Sequence, residues 1–266
     1  MRYVLMPFQF AGTAFAFALF GLGGVIFGLL ITPVLKMTSK SPEEERRRAR
    51  AVVRWWFGRF VAIITALRLV RVEVRNPEAL MKEGAILACS HPSLIDVVCL
   101  LSVVPEATTI VKAALLRNIF TRAPIRAAGY VSNAEGPDAI KKLARELDSG
   151  TAFVIFPEGT RTPSEFPEGE MPRLHRGAAQ LALHTGRSIT PVRISASPRW
   201  LTKDHGWWHL PEKPMTLTFE ALPEIPAAPY LDLYNSPPRL AARRFTLALG
   251  RELFPGIRQP TSSDAP

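Results

Sequence analysis

The feature that most constrains this chain is a long apolar stretch near its N-terminus. Residues 3–35 contain no charged side chain and consist largely of Phe, Leu, Ile, Ala and Gly. A helix needs about 20 apolar residues to cross the hydrocarbon core of a bilayer, whereas the apolar part of a secretory signal peptide normally spans about 7–15 residues. The length therefore favours a retained membrane helix over a cleaved signal peptide. We expect residues 1–40 to form a membrane anchor.

Basic residues flank this stretch unequally. Arg2 precedes it, whereas the residues that follow it include Lys36, Lys40, Arg46, Arg47, Arg48, Arg50 and Arg54. Because cytoplasmic flanks of membrane helices carry the excess of Lys and Arg, the pattern predicts a protein of the inner (cytoplasmic) membrane. The rest of the chain would then face the cytoplasm.

A second apolar segment, residues 51–70, contains three arginines among Trp and Phe side chains. Ser41 and Pro42 are residue types preferred at the N-cap and at the first position of a helix. Arginines beside paired tryptophans suit a helix at the lipid headgroup level, where the guanidinium groups reach towards water. We predict an interfacial amphipathic helix over residues 41–70; the alternative is a core helix of a soluble domain.

Beyond residue 70, short β-rich runs alternate with helical patterns. The β-rich runs are residues 71–74, 85–90, 108–112, 151–156, 189–195 and 215–222, and the helical patterns are residues 95–104, 113–120, 136–150, 177–186 and 237–253. This alternation predicts an α/β fold with a mostly parallel central sheet flanked by helices. We place the α/β domain at residues 71–225, with a C-terminal helix and a loose tail at residues 226–266.

The charge balance restricts the kind of partner. The chain has 33 Lys and Arg against 23 Asp and Glu, a net charge of +10, which favours nucleic acid, an anionic membrane surface or an acidic carrier protein. The basic residues cluster beside the apolar N-terminal stretch and no recognised nucleic-acid-binding module is visible, so we exclude nucleic acid. Membrane lipids and an acidic carrier protein remain as partners.

A histidine and an aspartate follow the second β-rich run, in the sequence SHPSLID over residues 90–96. Histidine is the side chain best suited to act as a base near neutral pH, so His91 is a candidate base. Asp96 would lie close to it if a helix begins near Ser93, and a carboxylate on one ring nitrogen fixes the tautomer of the base. A base of this kind can act directly on a substrate hydroxyl.

The fourth run ends in a second polar block, FPEGTR over residues 156–161. Gly159 allows backbone amides to approach an oxyanion, and Arg161 can bind a phosphate through two parallel hydrogen bonds. Glu158 could orient Arg161 or bind a substrate hydroxyl. The alternative is a tight turn with a surface salt bridge.

Together the two blocks resemble the glycerolipid acyltransferase family, and its lysophosphatidate acyltransferase group in particular. That family carries a histidine and an aspartate separated by four residues (the HX4D motif) and, later, a Phe-Pro-Glu-Gly-Thr-Arg block. The resemblance implies that His91 deprotonates an acceptor hydroxyl, which attacks an acyl thioester, and that Asp96 supports His91. It also implies that the acceptor, chiefly its phosphate, is bound by the later block: Glu158, Gly159, Thr160 and Arg161.

Two further blocks of the family also look matched, so that the resemblance covers roughly residues 75–195. They contain Lys112, Pro124 and Gly129, and then Pro191 and Val192, which are expected near the acyl chain. Many family members carry an arginine soon after the glycine of the third block, whereas Ser132 and Asn133 stand here. The departure bears on which acceptor is bound rather than on the chemistry.

The resemblance thus implies a membrane-bound O-acyltransferase that uses acyl-CoA or acyl carrier protein as donor. The acceptor that the resemblance implies is 1-acyl-sn-glycerol-3-phosphate, with phosphatidic acid as product, and the alternative is a lyso-lipid that is not a glycerophosphate. A hydrolase of acyl thioesters, or a non-catalytic lipid- or carrier-binding protein, remains as an alternative of another class. No cofactor and no metal are implied.

Overall fold

A computed structural model of the chain describes residues 2–136, 138–163, 171–204, 206–234 and 238–255. The tail predicted to be loose lies largely outside these residues. Within them, one sheet contains the strands β1 (Val70–Arg75), β2 (Ile86–Cys89), β3 (Ala107–Val111), β4 (Val131–Ser132), β5 (Ala152–Ile155), β6 (Ile189–Ser197) and β7 (Met215–Ala221). Each of the six predicted strands is present to within two residues; β4 was not predicted.

The sheet is mostly parallel, which confirms the predicted fold class. Its spatial order is β1-β7-β6-β2-β5-β3-β4, and β6 with β7 is the antiparallel pair. Strands β2 and β5 are direct parallel neighbours, with Ile86 opposite Phe153. Their carboxyl ends therefore meet at one edge of the sheet, where α/β folds place their ligands.

Helices cover both faces of the sheet. In chain order they are α1 (Arg2–Ile26), α2 (Thr32–Thr38), α3 (Pro42–Ala66), α4 (Pro77–Leu80), α5 (Asp96–Val103), α6 (Arg122–Ala127), α7 (Asp138–Asp148), α8 (Gly177–Thr185), α9 (Ala228–Tyr234) and α10 (Pro238–Leu253). Buried side chains of α3 and α5 form one hydrophobic cluster with the sheet. Those of α7, α8 and α10 form a second cluster with it.

The prediction of a helix over residues 113–120 was wrong, because the chain is helical over only part of this range. Only a 3-10 turn forms, over Ala113–Leu116. The Asn118 side chain accepts a hydrogen bond from the Phe120 amide at 2.9 Å, and its carbonyl accepts one from Arg122 at 2.9 Å. Because Asn favours local hydrogen bonds of this kind over helix continuation, the chain turns there and starts α6 instead.

The apolar N-terminal stretch is helical through α1, a π-helical segment (Phe27–Ile31) and α2. Its 32 residues from Pro7 to Thr38 are long and apolar enough to cross a membrane. Helix α3 packs antiparallel to α1. Gly12 of α1 lies beside Leu67 at the end of α3, and Gly23 lies against Trp56, further towards the start of α3. A side chain at Gly23 would overlap the indole ring, so the glycine permits the close approach of the two helices.

Helix α3 begins as predicted and attaches to the α/β domain through one side. The Ser41 hydroxyl caps it by accepting a hydrogen bond from the Glu44 amide, which confirms the N-cap. Arg50 is buried and donates to the Ala128 carbonyl at 2.9 Å, and its guanidinium pairs with Glu146 at 2.9 Å. On the opposite side of the helix, Trp55 is 62% exposed.

Candidate active site

His91 and Asp96 lie in contact at the carboxyl end of β2. The His91 Nδ1 atom is 3.0 Å from the Asp96 Oδ2 atom. Asp96 is the first residue of α5, so the turn over residues 90–95 is what brings the two side chains together. The imidazole is 16% exposed and the carboxylate is fully buried. A buried carboxylate thus holds the inner ring nitrogen and leaves the outer nitrogen, Nε2, for a substrate.

Ser93 fixes the Asp96 carboxylate from the other side. Its amide donates to Oδ2 at 2.7 Å and its hydroxyl donates to Oδ1 at 2.6 Å. With the His91 contact, the buried carboxylate has partners on both oxygens, as a charged group removed from water requires. Sequence reasoning did not assign Ser93 this role, although a serine three residues before an aspartate at a helix start signals such a bond.

Glu158 connects the two polar blocks. Its Oε1 atom accepts hydrogen bonds from the His91 amide at 2.8 Å and from the Thr162 hydroxyl at 3.0 Å. The Thr162 amide in turn donates to the His91 carbonyl at 2.7 Å. The backbone of the histidine is therefore held by the second block, 67 residues away.

The remaining oxygen of Glu158, Oε2, is buried and has no hydrogen-bond partner among the residues that the structure describes. Burial raises the pKa of Glu158 above its ordinary value, and the hydrogen bonds from Thr162 and His91 offset this only in part. Leaving a buried carboxyl oxygen without a hydrogen bond costs free energy. A donor that reaches this atom, such as a substrate hydroxyl, would remove that cost.

Arg161 is held by the loop that follows β6. One terminal nitrogen, Nη1, donates to the carbonyls of Leu201 at 2.9 Å and Thr202 at 2.7 Å. The Leu201 carbonyl also accepts from the Leu94 amide at 3.0 Å, which ties the same loop to the turn between His91 and Asp96. Among the described residues no hydrogen bond joins Glu158 to Arg161, so the predicted orientation of Arg161 by Glu158 is not seen.

Gly159 has a φ of +65° and a side chain there would overlap the His175 ring. A left-handed backbone at this position favours glycine, and Thr160 follows it in the same turn. Sequence reasoning gave His175 no role in the site. The ring lies directly on the turn, and its backbone is fixed by a 2.7 Å hydrogen bond from the His175 amide to the Pro157 carbonyl.

The other predicted substrate-binding residues lie on neighbouring parts of the sheet and its loops. Lys112 is exposed directly after β3, whose parallel neighbour is β5. Pro191 is buried in β6 opposite Ala88 of β2. Gly129 lies against the Arg46 side chain of α3. The neighbour that the structure gives this glycine is therefore a helix of the same chain.

Ser132 and Asn133, which replace the family arginine, make local contacts. The Asn133 side chain accepts a hydrogen bond from the Ala113 amide at 3.1 Å, and the Ser132 hydroxyl accepts one from the Ala134 amide at 3.3 Å. Arg126 is exposed on α6. Within the described residues, no three His, Cys, Asp or Glu side chains are grouped as a metal ion would require.

A family model described as Acyltransferase matches residues 71–195, the range that contains both polar blocks. Residues 71–195 therefore form a domain of the acyltransferase family. The match begins at β1 and ends within β6, so it includes the strands whose ends carry the His91–Asp96 pair and Glu158.

Two curated relatives of this acyltransferase domain bear the name 1-acyl-sn-glycerol-3-phosphate acyltransferase. The protein from Pseudomonas aeruginosa is 26% identical over 172 residues, which is 62% of this chain and 65% of that protein. The protein from Cocos nucifera is 28% identical over 120 residues, which is 42% of this chain and 38% of that protein. The chain thus spans less than two thirds of the length of either relative.

A solved structure shares the fold of the acyltransferase domain and of the helices before it. The crystal structure of the 1-acyl-sn-glycerophosphate (LPA) acyltransferase PlsC from Thermotoga maritima superimposes with a TM-score of 0.65 at 18% identity. The superposition covers 95% of this chain and 96% of that one. This likeness supports the observed architecture from the N-terminal helices to the C-terminal helix.

Proposed function

We propose that this acyltransferase moves a fatty acyl group from acyl-CoA or acyl carrier protein to the hydroxyl of a lyso-lipid. The acceptor that fits best is 1-acyl-sn-glycerol-3-phosphate, which would give phosphatidic acid. The observation that carries the proposal is the 3.0 Å contact between His91 Nδ1 and the buried Asp96 carboxylate, at the sheet edge that also holds Glu158 and Arg161. The names of the curated relatives support the same substrate class.

The proposed reaction uses His91 first as base and then as acid. With Asp96 accepting from Nδ1–H, the Nε2 atom removes the proton of the acceptor hydroxyl as its oxygen attacks the thioester carbonyl carbon. The carbon–sulfur bond then breaks, and Nε2 returns the proton to the leaving thiolate. Asp96 stays ionised throughout and stabilises the imidazolium between the two steps.

The acceptor would be held by the FPEGTR block. The Oε2 atom of Glu158, which has no partner among the described residues, can accept a hydrogen bond from a lipid hydroxyl. Two carbonyls occupy the Nη1 atom of Arg161. Its Nη2 and Nε atoms would donate to a phosphate. Charge-assisted bonds of arginine to phosphate are stronger than neutral ones. Lys112 would add a charge from the neighbouring strand end.

The N-terminal helices would seat the domain on the inner membrane with the α/β domain in the cytoplasm. Large apolar side chains are exposed along α1 and α2, among them Phe8 at 73%, Leu29 at 71% and Met37 at 85%. A contiguous apolar surface of this kind marks a membrane or protein contact. The basic residues of α3 flank it, as the positive-inside rule requires of a cytoplasmic side.

The proposal is tested with purified protein in detergent, a labelled acyl donor and a panel of lyso-lipids that includes charged, zwitterionic and uncharged acceptors. Transfer to lysophosphatidate is expected. Transfer only to an acceptor without a phosphomonoester would keep the His91 chemistry and assign another lipid pathway. Release of free fatty acid without any acceptor would identify a thioester hydrolase, and binding without turnover would identify a carrier- or lipid-binding protein.

A further inference from the structure

Residues 112–126, here called the basic-apolar segment, expose several large apolar side chains close together. Ile119 is 56% exposed, Phe120 is 45% exposed and Leu115 is 39% exposed. They lie between the end of β3 and helix α6. Single exposed apolar side chains are ordinary on a protein surface, but a cluster within six residues marks a contact surface.

The same segment is strongly basic. Between Glu106 and Glu135 the chain carries no acidic residue, whereas it carries four basic ones: Lys112, Arg117, Arg122 and Arg126. All four are exposed, and none has an ion-pair partner in the part of the chain that the structure describes. Unpaired cations around exposed apolar side chains are complementary to an anionic, amphipathic surface.

The segment is continuous with the apolar surface of the N-terminal helix. The Phe120 ring lies on Gly21, the Phe120 carbonyl lies against Gly24, and the Ala123 methyl group lies against Gly28. A side chain at Gly24 would overlap that carbonyl, so the row of small residues fixes the segment against the middle of the apolar stretch. Four exposed apolar side chains of the stretch lie within two residues of these glycines: Leu22, Ile26, Leu29 and Leu30.

We propose that the basic-apolar segment is a second membrane-docking surface, which binds an anionic lipid leaflet. Ile119 and Phe120 enter the boundary between headgroups and acyl chains, while Arg117 and Arg122 bind lipid phosphates. The inference rests on the proposed membrane placement of the N-terminal helices. Because β3 and β5 are parallel, the segment leaves the sheet at the edge where His91 lies, so the active-site edge faces the leaflet.

An acidic protein such as an acyl carrier could also bind basic and apolar side chains. The contacts of Phe120 and Ala123 favour the membrane, because they place the segment beside helix residues that are themselves exposed and apolar. A protein bound there would have to cover part of the membrane helix as well. The two occupants give different results in the following test.

The test measures how deeply a nitroxide label at position 119 lies in nanodiscs that contain anionic phosphatidylglycerol. Cys89 and Cys99 are buried and burial raises the pKa of both thiols, so an Ile119→Cys variant takes the label at the new thiol alone. Leu29→Cys labels the helix, and Arg243→Cys on α10 labels an exposed position on the other face of the sheet. We expect labels 29 and 119 to be accessible to oxygen and shielded from a water-soluble nickel complex, and label 243 to be accessible to the complex.

A charge variant separates lipid phosphates from purely apolar docking. Arg117→Gln/Arg122→Gln should lower the docked fraction of label 119 by up to about thirtyfold, since each basic side chain near an anionic leaflet contributes roughly a fivefold factor. Arg243→Gln/Arg244→Gln removes the same charge from α10 and should leave it unchanged. An equal response to both pairs would overturn the assignment to lipid phosphates.

The remaining outcomes are distinct. If label 29 is shielded and label 119 is as accessible to nickel as label 243, the docking surface is wrong and the proposed membrane placement stands. If labels 29 and 119 are both accessible to nickel, the membrane placement fails with it. Shielding of label 119 only after acyl carrier protein is added would assign the surface to that protein instead.

Discussion

At the scale of single residues, His91 is fixed at three atoms by two parts of the chain. Asp96 holds the ring at Nδ1, Glu158 holds the amide, and the Thr162 amide holds the carbonyl. Phe156 lies beside the ring, with 4.5 Å between the centroids. The two polar blocks therefore form one unit, in which the second block fixes the backbone of the proposed base.

Replacing Arg161 tests acceptor binding. Arg161→Ala should raise the KM for lysophosphatidate by about ten- to a hundredfold and change kcat less, because a charge-assisted bond to a phosphate contributes about 1.5–3 kcal/mol. Steady-state kinetics in detergent measures both constants. Arg251→Ala, which removes an exposed arginine of α10, should leave them unchanged. An unchanged KM in Arg161→Ala would remove Arg161 from this role.

Replacing Glu158 tests the buried carboxyl by its pH dependence. Because burial raises its pKa above 4.5, folding favours the protonated form, so its contribution to stability is present below pH 4.5 and is lost as the pH rises through the folded-state pKa. Glu158→Gln keeps an oxygen for His91 and Thr162 but cannot ionise.

The stability of Glu158→Gln relative to wild type should therefore increase as the pH is raised from 4 to 8. Thermal unfolding in detergent, followed over that range, measures the difference. A difference that falls with pH would mean that the folded protein stabilises the carboxylate instead.

At the scale of elements, Arg50 attaches helix α3 to the α/β domain. Besides Ala128 and Glu146, its guanidinium donates to the Thr151 hydroxyl at 3.1 Å and pairs with Glu106 at 3.4 Å. These partners come from three separate parts of the fold. The orientation of α3, and with it that of α1, is thereby fixed relative to the sheet edge that carries His91.

Arg50→Ala should lower the free energy of unfolding by about 3 kcal/mol, because it leaves the largely buried Glu146 carboxylate with only the longer Arg46 contact. The midpoint of thermal unfolding should fall by roughly 10 °C. Arg47→Ala removes an exposed arginine three residues earlier on the same helix and should change the stability by less than about 0.5 kcal/mol. Equal midpoints for the two variants would show that the buried network contributes nothing.

Strands and long helices were predictable from the sequence because their signals are local. Alternating runs gave the sheet, and Ser41 with Pro42 marked the start of α3. The contacts of Arg50 were not predictable, since nothing in an arginine-rich run distinguishes the one buried side chain from its exposed neighbours. Asn118 ended the predicted helix after β3 through a side-chain bond that competes with helix propensity.

The active site was predictable where chemistry and spacing coincide. The turn from His91 to Asp96 is short, so five residues of spacing sufficed to predict the contact. The bond between Glu158 and the His91 amide depends on the pairing of β2 with β5, which no local pattern specifies. The same holds for Arg161, whose partners Leu201 and Thr202 lie in a loop about 40 residues away.

At the scale of the whole molecule, the candidate site residues lie along one edge of the sheet. The carboxyl ends of β2, β3 and β5 place His91, Lys112 and Glu158 along that edge. The N-terminal helices and the basic-apolar segment lie beside it. With the membrane placement proposed above, this arrangement would let an acceptor stay in the leaflet while a water-soluble donor reaches His91 from the aqueous side.

The central claim is that His91 removes the proton of a lyso-lipid hydroxyl during acyl transfer. The most direct measurement is the single-turnover formation of labelled phosphatidic acid from a labelled acyl thioester and lysophosphatidate, by wild type and by His91→Ala in the same detergent. We expect product from wild type and a rate at least about a thousandfold lower from His91→Ala, with equal thermal unfolding of the two proteins. A rate within a few-fold of wild type in His91→Ala would contradict the account.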